Sequence, residues 1–230
     1  MTITLYDLAG SDGRRFSPYC WRTRMALAHK GLQFETIPVR FTDKPLIAFS
    51  GQERVPVIRD GDRTVYDSWT IAAYLEDTYP DTPTLFGGSA GRGLARFVNG
   101  WTDRALHASL IRLVIADILD HVDPADREYF IESRTKRFGA APEAVQTRSP
   151  EDRKAFDGAV AVIRAALDGQ DFLSGPTPLY ADYIVFGAFA WSRTISPYAL
   201  LEFDDPVYAW RERMLALFGE LAGNAVGYPV

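Results

Sequence analysis

Val55-Pro56-Val57-Ile58-Arg59-Asp60-Gly61-Asp62-Arg63-Thr64-Val65-Tyr66-Asp67-Ser68 is the stretch on which the fold turns. Val55-Pro56-Val57-Ile58 and Thr64-Val65-Tyr66 are short β-prone runs, and Asp60-Gly61 between them is a tight-turn pair. They read as a hairpin. Asp67-Ser68 then supplies a helix cap ahead of Trp69, Ile71, Ala72, Leu75 and Tyr79 on one helical face. Upstream, residues 2–7 read as a strand, 17–30 as a helix closed by Gly31, 33–39 as a strand and 42–50 as a short irregular helix. The order is β-α-β-α-β-β-α. Because it ends in a hairpin, the sheet must be mixed.

Downstream the strand signals vanish. Tyr79-Pro80-Asp81-Thr82-Pro83 and Gly87-Gly88-Ser89 break the chain, and residues 81–90 read as a linker between a domain at 1–80 and one at 91–230. Helical periodicity follows over 91–117, 124–138, 151–168, 181–194 and 206–222, with 139–150 a loop. The 181–194 segment, with Tyr183, Ile184, Val185, Phe186, Phe189 and Trp191, is apolar on most sides and is expected to be central.

Composition narrows the classes. The 230 residues are 47% hydrophobic and 24% charged, with a net charge of −5. No basic tract suggests nucleic acid, and the negative charge disfavours an anionic membrane surface. Cys20 is the only cysteine, so no intramolecular disulfide can form. The N-terminal residues lack a signal-peptide pattern and no run is long enough to span a membrane. A cytoplasmic protein is expected. No His or Cys spacing points to a metal, and Asp103 with His107 reads as a solvated pair four residues apart.

Three places carry candidate chemistry. Ser17-Pro18-Tyr19-Cys20-Trp21-Arg22 opens a helix, with Ser17 as cap and Pro18 at the first position. A thiolate or other anion is favoured at such an end. The reading by sequence alone is equally a plain cap. At Val55-Pro56, a cis peptide would leave the Val55 backbone free for an extended ligand, while a trans proline at a sheet edge is the ordinary alternative. Asp67 and Ser68 suit the ammonium and carboxylate of an α-amino acid, or form a capping pair only.

In this order and at this spacing, the Ser-Pro, Val-Pro and Asp-Ser motifs resemble those of glutathione S-transferases. The resemblance implies an α/β plus all-α protein: a thioredoxin-like N-terminal domain at 1–80 and an all-helical domain at 91–230 forming the hydrophobic substrate pocket. It implies glutathione as co-substrate, no metal, and a homodimer. Ser17 would donate to the glutathione thiolate. Val55, before a cis Pro56, would pair with the cysteinyl backbone, Asp67 and Ser68 would hold the γ-glutamyl group, and Arg54 the peptide or its glycine end. Tyr6 is the rival to Ser17, since other branches use a tyrosine near strand 1. Cys20 is a second, because Ser-Pro-Tyr-Cys resembles a glutaredoxin motif lacking its attacking cysteine. Tyr19, Trp101, Tyr183 and Trp191 are candidates to line the substrate pocket. The stretches 2–8, 17–22, 53–58 and 67–69 are most similar to bacterial β-etherases and related fungal transferases, which implies attack on an aromatic electrophile and specifically β-aryl ether cleavage. A non-catalytic glutathione- or ligand-binding protein and a thiol-disulfide reductase using Cys20 are the alternatives. One departure stands out: Leu179 replaces the usual Ser, Thr or Asn three residues before Asp182, leaving a capping box incomplete.

Overall fold

A computed structural model describes residues 2–230. Four strands form one mixed sheet: β1 (Ile3–Leu8), β2 (Phe34–Val39), β3 (Val57–Asp60) and β4 (Arg63–Tyr66), in the order β2-β1-β3-β4. β1 and β2 are parallel from Ile3↔Phe34 to Leu8↔Val39, while β3 is antiparallel to both β1 and β4. The expected mixed sheet and hairpin are present. β3 begins at Val57, after Pro56, because a proline has no N–H to give to the ladder.

Helices α1 (Pro18–His29) and α2 (Ser68–Thr78) pack with Ile3 and Leu5 of β1 in the main core. Tyr6, one residue along, points to the other face with Val39, Ile47 and Val57. A 3-10 segment at Lys44–Ser50 covers that face and ends at Gly51, whose φ of 69° is the left-handed value a glycine adopts without cost.

The second half is helical: α3 (Ser89–Trp101), α4 (His107–Val114), α5 (Arg127–Phe138), α6 (Pro142–Val145), α7 (Pro150–Ala166), α8 (Tyr180–Ile195), α9 (Pro206–Leu215) and α10 (Leu217–Glu220). Three expectations are corrected. The helix expected over 91–117 is interrupted at Thr102–Leu106 by a π turn, in which the His107 amide donates to the Thr102 carbonyl. The 139–150 loop contains α6, started by Pro142. The helix expected over 206–222 stops at Leu215, because Phe218 and Gly219 take left-handed dihedrals (φ 54° and 66°) that an α-helix cannot continue through.

α8 is the axis of the molecule. Every residue of it except Ala181 and Arg193 is buried. Its Gly187 lies directly on the start of α1: an added Cβ would sit 2.4 Å from the Pro18 carbonyl oxygen. Its N-terminus has no side-chain cap from Leu179, as expected. Asp182 compensates by accepting from the amides of Leu173 (2.8 Å), Ser174 (3.2 Å) and Leu179 (3.1 Å) and from the Trp210 indole (3.0 Å). No helix is long and apolar enough to cross a membrane.

Candidate active site

Ser17 is the N-cap of α1, with extended dihedrals (φ −93°, ψ 119°) and Pro18 next in line. Its Oγ accepts from the Cys20 amide at 3.2 Å. That bond uses a lone pair, so the hydroxyl proton remains available to donate. The α1 dipole adds positive potential at the same place.

Cys20 sits one turn further in and is 1% exposed. Burial first, then the neighbouring Asp7, pushes its thiol well above the ordinary range, so it stays protonated at neutral pH. Tyr6 packs against Phe49 with ring centroids 5.1 Å apart, on the sheet face away from α1.

The Val55–Pro56 bond is cis. Among the described residues, neither backbone group of Val55 hydrogen-bonds to another backbone group outside helices and strands. Arg54, beside it, is exposed. Asp67 has a positive φ of 69° and caps α2: one carboxylate oxygen takes the Thr70 amide (3.0 Å) and hydroxyl (3.1 Å). The other oxygen is left free. Ser68 is buried, and its carbonyl accepts from the Tyr180 hydroxyl at 2.7 Å, which ties α8 to this end of the sheet domain.

Of the four aromatic candidates, the structure brings two together. Tyr19 and Trp191 both pack edge-on to the His107 ring, with centroids 5.7 and 6.0 Å away. The Arg22 guanidinium lies over the Tyr19 ring at 4.6 Å. Trp101 instead lines a groove of about 480 Å³ with Ala105, Ala108, Gly158 and Val162, on the α7 side of the α3–α4 helix. Tyr183 lies at the far end of α1, bonded to His29 Nδ1 at 2.6 Å.

His107 and Asp103 do not form the expected solvated pair. His107 is 6% exposed and its Nδ1 is 3.5 Å from Asp103. Asp103 also accepts from Arg22 (2.7 Å) and Asn99 (3.0 Å), which joins the sheet domain to the π turn. Burial, and then the charges of Arg22 and Arg137, depress the His107 pKa well below its usual value, so the ring is neutral at pH 7. The sequence contained one signal for this link: Arg22 interrupts an apolar run in α1, and a buried guanidinium requires a carboxylate.

This geometry agrees with known proteins. Residues 16–78 match the glutathione S-transferase N-terminal domain, and residues 93–205 match the glutathione S-transferase C-terminal domain. A glutathione S-transferase of Ceriporiopsis subvermispora, solved in complex with glutathione, superposes with a TM-score of 0.82 at 25% identity, covering 96% of this chain and 97% of that one. Glutathione transferase GSTFuA3 of Phanerochaete chrysosporium superposes with a TM-score of 0.77 at 26% identity, covering 96% and 94%. A glutathione S-transferase-like protein of Aspergillus flavus is 30% identical over 160 residues, which are 64% of this chain and 54% of that protein. The chain thus spans about half the length of that relative. It belongs to the glutathione S-transferase family, with a thioredoxin-like domain and a helical domain.

Proposed function

We propose that the protein is a glutathione transferase in which Ser17 donates its hydroxyl proton in a hydrogen bond to the glutathione thiolate. The observation that carries this reading is the state of Ser17 itself: a helix N-cap whose oxygen is anchored by the Cys20 amide and whose proton is unspent. A serine hydroxyl does not ionise near neutral pH, so it acts as a donor and not as a base. Together with the helix end, it stabilises the thiolate over the thiol. Val55 offers its backbone to the cysteinyl unit, Asp67 (through its free oxygen) and Ser68 hold the γ-glutamyl end, and Arg54 meets the glycine end. Cys20 takes no part, given its burial and raised pKa.

The electrophile is hydrophobic and aromatic, and it binds beside Tyr19 and Trp191. In β-aryl ether cleavage, the specific reaction proposed, the thiolate sulfur attacks the carbon next to a ketone. A C–S bond forms, the C–O bond breaks with its electron pair going to oxygen, and the phenoxide is protonated by water. The protein works in the cytoplasm as a homodimer; Leu94 and Phe97 of α3, 68% and 74% exposed, are suited to a subunit contact.

The test is the ultraviolet absorbance of the thiolate of bound glutathione, titrated against pH for wild type and Ser17→Ala. Wild type should hold the bound thiol at least about one pH unit below the ordinary thiol value of ~8.5. Ser17→Ala should return it toward that value and lower kcat about 10²-fold. Binding with an unshifted thiol indicates a binding protein instead, and absence of binding removes the glutathione assignment altogether.

A further inference from the structure

Most arginines of the interior and of the domain contacts have a carboxylate partner: Arg22 meets Asp103, Arg24 meets Asp7, Arg112 meets Asp152 and Arg164 meets Asp205. Arg134 of α5 is an exception. Its guanidinium carbon lies 5.0 Å from the centre of the Phe41 ring and 4.7 Å from that of Phe130. Its one hydrogen bond is to the neighbouring Ser133 hydroxyl at 3.0 Å. Among the described residues no carboxylate lies within ion-pair distance of Arg134, nor of Arg137 one turn on, nor of Arg54.

These cations face the candidate active site. Phe41, on which Arg134 rests, packs 5.8 Å from Phe16, the residue before Ser17. The charge of Arg137 acts on both Tyr19 and His107. Burial, then Arg137 and Arg54, hold Arg134 down to about 10, so it remains charged at neutral pH while like charges crowd it. The nearby acids are committed elsewhere: Asp103 to Arg22 and Asn99, Glu53 to Lys44, and Asp126 to the Phe41 and Thr42 amides. In a chain with 30 acidic and 25 basic residues, a half-buried cluster of arginines lacking any acid is a site that an anion completes.

We propose that Arg134 and Arg137 of the helical domain bind a carboxylate carried by the electrophile, so that the preferred substrates are aromatic electrophiles bearing an acid group. The inference rests on the glutathione transferase reading above. Planar guanidinium groups suit a carboxylate, because two parallel N–H donors match its two oxygens. Arg54, in the sheet domain, is left to the glycine end of glutathione. The two α5 arginines stand on the side of Tyr19 and His107, where the electrophile is placed.

The test compares two electrophiles with the same reacting carbon, neutral 1-chloro-2,4-dinitrobenzene and anionic 4-chloro-3,5-dinitrobenzoate, in the full-length protein. The ratio of kcat/KM, anionic over neutral, should fall at least tenfold in Arg134→Gln/Arg137→Gln, with the change in KM for the benzoate. Arg137→Lys, which keeps the charge, should retain part of the preference, and the wild-type ratio should decline with added salt. Binding is read separately by quenching of tryptophan fluorescence with 3,5-dinitrobenzoate and with 1,3-dinitrobenzene. That reading decides the matter even if neither chloride is turned over. Such a lack of turnover would refute the transferase reading and leave the anion site standing. An unchanged binding ratio in the double variant overturns the proposal. So does a loss appearing in the KM for glutathione, which would assign the arginines to glutathione's own carboxylate.

Discussion

Replacing Asp182 by Ala should cost about 4 kcal/mol of stability. The carboxylate is fully buried and gathers four donors from three places: the 173–174 loop, the α8 N-terminus and the α9 tryptophan. Burial raises its pKa, and the four hydrogen bonds pull against that rise. Each donor orphaned in the interior costs ~1–3 kcal/mol. The three amides border partly exposed loop residues, so water reaches them and the low end applies, about 1 kcal/mol each. The Trp210 indole, 0% exposed, has no substitute acceptor and warrants about 2 kcal/mol. Release of the buried charge gives back about 1 kcal/mol. For a protein of this size the melting temperature should fall by roughly 8–16 °C. Urea unfolding followed by tryptophan fluorescence measures the loss. A double-mutant cycle with Trp210→Phe isolates the indole bond, because the packing lost with the ring cancels. A loss below about 1 kcal/mol for Asp182→Ala, or an equal cost of Trp210→Phe in both backgrounds, would refute the hub.

Gly187→Ala should destabilise by about 2 kcal/mol and lower activity together, since the new methyl meets the Pro18 carbonyl at 2.4 Å beside Ser17. Gly158→Ala, in α7 with nothing within 4 Å, should instead stabilise by ~0.5–1 kcal/mol; urea midpoints for the pair check both signs. Cys20→Ser should leave transferase activity intact, and iodoacetamide should label Cys20 only after unfolding; rapid labelling of the folded chain would contradict its burial. The Thr147 hydroxyl first, opposed by burial and aided by Arg112, holds Asp152 down to about 2. A folded pKa depressed below the unfolded ~3.9 contributes stability that is complete above that value and is lost as pH falls toward 2. Asp152→Asn should therefore flatten the acid limb of the stability profile, and an unchanged limb would count against the cap.

Much of the site was legible locally. Ser17-Pro18 specifies a helix start because its neighbours in sequence are the groups it caps, and Asp60-Gly61 closes its hairpin for the same reason. The central character of α8 was equally clear from its unbroken apolar run. The breaks at Thr102–Leu106 and at Phe218 were not legible, because the 3.6-residue period continues through them and only packing against other helices interrupts it.

By itself, then, the sequence determined the order of elements, their caps and the mixed sheet, all of which depend on groups a few residues apart. Tertiary structure decided which candidates share a site. Strand register turned Tyr6 away from α1, and the crossing of α8 over α1 at Gly187 carried Trp191 to His107 while taking Tyr183 to His29. The same assembly made His107 a buried partner of Asp103 and left Arg134 on two aromatic rings without an acid. Those outcomes join residues tens of positions apart, where spacing along the chain carries no information about distance in space.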